Sequence, residues 1–195
     1  MDSKIGRARS LSFVYLAVIL VASAQLAFAQ SVTVTAEQRI QHVRPKNKWM
    51  TTLIDEGSRR SSVFQGLIDH LNQSDVVVYV ERGQLPRNLS GQLMFVGASP
   101  PWRYLRVQID CQQIVVDQIA TLGHELQHAV EIADAANVVS PALVKELYTT
   151  IGFPVDASGR RYETDAARDT GQRVHRQLSL PVAAVAEPSR ARVSD

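Results

Sequence analysis

The amino-acid sequence predicts an α+β domain, a small, mostly antiparallel sheet packed against one long buried helix and further helices. Three observations carry this reading. Segments rich in β-branched residues gather between positions 75 and 109, apolar residues recur at intervals of three and four on either side of them, and no segment repeats. Strands grouped in the middle, with helices before and after, specify an α+β arrangement whose antiparallel or mixed sheet is covered on one side.

The chain begins with a targeting pattern. Lys4, Arg7 and Arg9 precede an uncharged apolar run from Leu11 to Leu26 that ends in Ala27-Phe28-Ala29, which reads as a secretory signal peptide cleaved after Ala29. The run is just long enough to serve instead as an uncleaved anchor, but small residues at both 27 and 29 favour cleavage. No cysteine follows it, so a lipid anchor is not indicated. The expected product is a secreted or periplasmic chain of 166 residues starting at Gln30, with no stable membrane insertion.

Removing Lys4, Arg7, Arg9 and Asp2 leaves 18 basic and 18 acidic residues, so the +2 charge of the whole chain belongs to the leader. A neutral domain without a basic, aromatic-interleaved stripe gives no field for nucleic acid or an anionic membrane. Cys111 stands alone and forms no intrachain disulfide, so packing, or packing together with a metal, must hold the exported domain together.

Residues 30–47 are polar, are broken by Arg44-Pro45-Lys46, and read as a flexible segment before a domain spanning 48–180. From Trp49 to Leu71, Met50, Leu53, Ile54, Val63, Phe64, Leu67, Ile68 and Leu71 follow a helical period, divided near Gly57. Three strands follow, at Asp75–Glu81, Gln92–Val96 and Tyr104–Ile109, with Ser99-Pro100-Pro101 as the turn between the last two. In the third, Leu105, Val107 and Ile109 alternate with Arg106, Gln108 and Asp110, as in a strand with one wet face. Beyond Cys111 the period turns helical through Val115, Ile119, Leu122, Leu126, Ala129 and Val130. A helix from Pro141 stops near Gly152, a loop covers 155–159, a last helix runs from Arg161 to Leu178, and residues 181–195 read as a disordered tail.

Chemistry concentrates in the long helix, where His124-Glu125-Leu126-Gln127-His128 forms an HExxH motif. Histidines four apart lie one turn apart on the same face, so both imidazoles can reach one ion at about 2.0 to 2.1 Å. Glu125 points partly around the helix, reaching a metal-held water without ligating, as a general base must. The expected cofactor is one Zn2+ ion. His42, His70 and His175 have no partner at ligand spacing and read as solvated.

A catalytic zinc site needs a third protein ligand and an open position. Glu131 shares a face with His124 and His128, but one straight helix rarely wraps three ligands around an ion; it reads as a supporting or solvent-facing residue. Glu146 sits beside Lys145, away from the Leu143, Leu147, Tyr148 stripe. Glu163 precedes Ala166, Ala167, Thr170 and Val174 at helical spacing, which puts it on the inner face of the last helix. It is the first choice for the third ligand, with Glu146 and Glu131 as alternatives. Tyr148, Tyr162 and His175 are candidate oxyanion donors.

These residues resemble the gluzincin group of zincin metallopeptidases, in which HExxH is completed by a glutamate on a later helix. The resemblance covers about residues 103 to 170. It implies His124 and His128 as ligands, Glu125 as base, and Glu163, within Tyr162-Glu163-Thr164-Asp165-Ala166, as the completing glutamate. It also implies that a strand just before the motif helix, here Tyr104 to Ile109, is the edge that pairs with a peptide or protein substrate. No third histidine follows at metzincin spacing and no methionine lies downstream for a Met-turn, so the metzincin pattern is excluded. A large second lobe is absent as well. The function implied is hydrolysis of peptide bonds outside the cytoplasm. A second reading, from a different class, is a non-catalytic metal-binding or interaction domain on the same scaffold.

Overall fold

The computed structural model describes residues 41–156 and 161–180. The expected signal sequence, the segment up to residue 40 and the tail from 181 lie outside these described residues. The order is β1 (Val43–Pro45), α1 (Lys48–Arg60), α2 (Ser62–Asn72), β2 (Val76–Gly83), β3 (Gly91–Ser99), β4 (Trp102–Asp110), α3 (Val115–Asp134), α4 (Pro141–Ile151), β5 (Phe153–Pro154), β6 (Tyr162–Glu163) and α5 (Asp165–Ser179). The α+β class therefore holds.

The sheet is mixed rather than mostly antiparallel. Its order is β1-β2-β4-β3, with β1 parallel to β2, β2 parallel to β4, and only the β3–β4 pair antiparallel. The turn at Ser99 to Trp102 forces antiparallel pairing of β3 with β4, and β4 then inserts between β3 and β2. The two helices α1 and α2 carry the chain from β1 across to its parallel neighbour β2. Parallel strands buried on both faces read as continuous apolar runs, and Val76, Val77 and Val78 are all buried.

Two boundaries move. Residues 43–45 are not a loose lead-in but an edge strand, with Val43 opposite Val78, and Pro45 is tolerated there because an edge strand can spare a donor. Next to it, His42 is buried rather than solvated; its Nδ1 lies 2.8 Å from the Leu71 carbonyl and its ring stands edge-on to Trp102. The division of the first helical stretch falls at Ser61, not Gly57. Extended Ser61 ends α1 through its N–H to the Gly57 carbonyl and starts α2 by accepting from the Phe64 N–H at 3.1 Å. Gly57 lies inside α1 for space, since a Cβ there would stand 2.9 Å from the Ile119 side chain and 3.0 Å from the Phe64 ring.

Leu105, Val107 and Ile109 of β4, with Val76, Val78 and Val80 of β2, form one wall of the core. Met50, Leu53, Phe64, Leu67 and Leu71 from α1 and α2, and Ile119, Leu122, Leu126 and Ala129 from α3, fill it. At its edge Arg103 is 2% exposed. It pairs in a fork with Asp75 at 2.6 and 2.8 Å and donates to the carbonyls of Ile132, Ala133 and Ala135. The last turn of α3 has no basic residue of its own, so Arg103 supplies the donors and the positive charge that a helix C-terminus favours. That contact anchors the motif helix to the sheet. No helix among the described residues is long and apolar enough to cross a membrane.

Candidate metal centre

The long helix α3 presents His124, Glu125, His128 and Glu131 on the side away from its buried Ile119, Leu122, Leu126 and Ala129. Facing it, Glu163 arrives by a different route from the one the sequence suggested. It is not on the last helix but on β6, paired with Phe153 of β5, one residue before Thr164 caps α5. The Thr164 hydroxyl accepts from the Ala167 N–H at 3.1 Å, and Asp165 opens the helix. A threonine followed by Asp-Ala-Ala is a helix-start signature that would have moved the helix boundary from 161 to 165.

Three glycines set the spacing. A Cβ on Gly152 would meet the Glu163 carbonyl oxygen at 2.5 Å, so the β5–β6 pair closes this tightly only with glycine there. A Cβ on Gly171 would stand 3.2 Å from the His124 Cβ, which brings α5 against α3. A Cβ on Gly91 would lie 2.8 Å from Glu125 Oε1, so the start of β3 rests on that carboxylate. Ala167, Thr170 and Val174 are the buried face of α5, while Ala166 is exposed.

His124 Nε2 lies 3.3 Å from Glu163 Oε2, and His128 Nε2 lies 3.5 Å from Glu163 Oε1. Donor atoms held at about 2.0 to 2.1 Å around a tetrahedral ion stand about 3.3 to 3.4 Å apart. The three donor atoms lie within 4.8 Å of one another, and the group can hold a metal ion. The other imidazole nitrogens point elsewhere. His128 Nδ1 is 2.8 Å from Glu131 Oε2, and the Ala167 carbonyl bonds to the His124 ring. For His128, an Nδ1–H engaged in this way leaves Nε2 as the lone-pair donor once the ring has given up its second proton, the tautomer a ligand requires.

Electrostatics follow from crowding three carboxylates and two imidazoles. Burial pulls His124 below its ordinary value. Burial pulls on His128 too, but the hydrogen bonds it gives to Glu131 and then Glu163 outweigh it and raise His128 to about 9. Burial pushes Glu163 up, yet His128 and His124 hold it below the usual carboxylate range. Burial lifts Glu125 to about 7, outweighing the downward pull of the neighbouring His128, and Glu163 adds to the rise.

Two clefts meet at His124 and Glu125. The larger, about 460 Å³, runs between Leu93 and Phe95 of β3 and Val144 and Tyr148 of α4. A second, about 370 Å³, continues past Glu125 between Thr121 and Arg168. The exposed edge of the sheet beside them is β3, not the Tyr104–Ile109 strand, which is interior. Glu146 is an exposed residue of α4 and lines neither cleft. His175 pairs with Asp117 on the surface and His70 with Asp134. The Tyr148 hydroxyl donates to the His128 carbonyl at 3.1 Å, whereas the Tyr162 hydroxyl lies 3.4 Å from Thr149 Oγ1, whose own proton goes to the Lys145 carbonyl at 2.7 Å. Thr164, Gly152, Gly171 and Arg103 were not singled out from sequence, because each acts through a contact between distant segments. Compared with known proteins, the chain matches no protein-family model, no curated protein and no solved structure.

Proposed function

We propose that this protein is an exported zinc-dependent metallopeptidase of gluzincin type, which hydrolyses peptide bonds with Glu125 as general base. One observation carries the reading. Two imidazole Nε2 atoms and one carboxylate converge at ligand spacing beside a buried glutamate that has no hydrogen-bond partner among the described residues and opens on a cleft. Two histidines and a carboxylate suit zinc, and they leave a coordination position open.

Zinc bound by His124, His128 and Glu163 would polarise a substrate carbonyl and bring the pKa of a coordinated water to about 7. Glu125, lifted to about 7 by burial, is matched to take a proton from that water and deliver it to the departing amine nitrogen. An extended peptide would pair with the free edge of β3, as strands add to an exposed edge. Leu93, Phe95 and Val144 would then take an apolar side chain, and the Tyr162 hydroxyl, which lines the same cleft, would turn from Thr149 to the developing oxyanion.

The test is Glu125→Gln in the purified protein with casein as substrate. The variant is expected to keep its zinc and lose about 10²- to 10⁴-fold in hydrolysis rate, the usual contribution of a general base. Zinc-loaded wild type that cleaves neither casein nor a peptide library would overturn the enzymatic reading.

A further inference from the structure

Glu131 lies outside the ligand set, yet it is nearly enclosed, with its side chain 9% exposed. Both of its oxygens are engaged. Oε2 faces His128 Nδ1 at 2.8 Å, and Oε1 accepts from the Thr164 hydroxyl at 2.6 Å. Thr164 in turn gives its backbone N–H to Glu163 Oε1 at 2.8 Å and caps α5 with the same hydroxyl oxygen. The contacts close a ring that runs from His128 through Glu131, Thr164 and Glu163 back to His128.

We propose that Glu131 and Thr164 are positioning residues of the metal centre, a clamp that fixes the His128 tautomer and ties the strand carrying Glu163 to the motif helix. The proposal rests on the zinc reading above. Its physical basis is that the ligands come from two segments about 35 residues apart in sequence, joined by α4 and the β5–β6 pair, so a metal-free site would otherwise have to hold Glu163 by backbone packing alone. Glu131 also explains why a carboxylate is buried at a third position on α3. One straight helix does not offer three ligands to one ion, but a residue three beyond His128 reaches the far nitrogen of that same ring. A hydrogen-bonded carboxylate raises the basicity of a ligating imidazole, and loss of such a partner costs about 10- to 100-fold in metal affinity.

The experiment is competition of the purified protein with a fluorescent chelator for Zn2+, on wild type, Glu131→Gln, Glu131→Ala, Thr164→Val and Thr164→Ser. Glu131→Ala is expected to weaken zinc binding about 10- to 100-fold, with Glu131→Gln and Thr164→Val in between. Thr164→Ser, which restores the hydroxyl, should bind within about twofold of wild type. NMR of the zinc-loaded protein adds a second readout. The His128 Nδ1 proton should be hydrogen-bonded and slow to exchange in wild type and Thr164→Ser, and lost to exchange in Glu131→Ala. If wild type binds zinc and Glu131→Ala and Thr164→Val bind equally well, the clamp is overturned while the metal centre stands. If wild type binds no zinc, the metal reading fails and the clamp fails with it.

Discussion

Glu163 is held by its neighbours around the β5–β6 pair, not by a place in a helix. Gly152 lets the β5–β6 pair close against the Glu163 carbonyl, and a Cβ there would sit at 2.5 Å from that oxygen. Gly152→Ala should therefore displace Glu163 and lower zinc affinity by at least tenfold, while the exposed Glu146→Ala leaves it unchanged; chelator competition reads both. Equal affinity in the two variants would remove Gly152 from the account. At this scale His124, Glu125 and His128 were legible as a motif, since helical spacing alone sets them on one face. The role of Glu131 was half legible, because spacing showed its face but not its partner on a distant loop. Thr164 and Gly152 were not legible, for their contacts depend on how β5 and β6 meet.

Elements were legible where one periodicity ran unbroken, as in α3 and β4, and obscure where pairing decided the matter. Sheet order depends on which strand inserts between its neighbours, so the edge role passed from the β4 segment to β3. The three-residue β1 was too short to show a period. The anchor of α3 also came from outside the helix, since Arg103 supplies donors to three carbonyls around its C-terminal end. Arg103→Leu keeps the bulk but leaves these buried acceptors unpaired. It should destabilise the domain by about 1 to 3 kcal/mol in urea unfolding. A variant as stable as wild type would show that solvent replaces the guanidinium.

Across the whole molecule, acid sensitivity follows from carboxylates held below their ordinary pKa. The Arg103 guanidinium holds Asp75 down, and the Lys46 ammonium does the same for Glu81. Because the folded values lie below the unfolded ones, their contribution is complete above about pH 5 and is lost as pH falls through the depressed values. Melting temperature should thus decline steadily from pH 5 to pH 3, and less steeply in Arg103→Leu, where Asp75 has nothing left to lose. An identical slope in the two proteins would assign the acid sensitivity to other groups. The domain reads as one core that carries a group able to hold a metal ion on the outer side of its central helix, between β3, α4 and α5. The most direct test of that centre is the zinc content of the purified protein by elemental analysis, beside His128→Ala and Glu163→Ala. The account predicts one zinc per chain in wild type and a large loss in both variants. Zinc absent from wild type, or retained in full by Glu163→Ala, would contradict it.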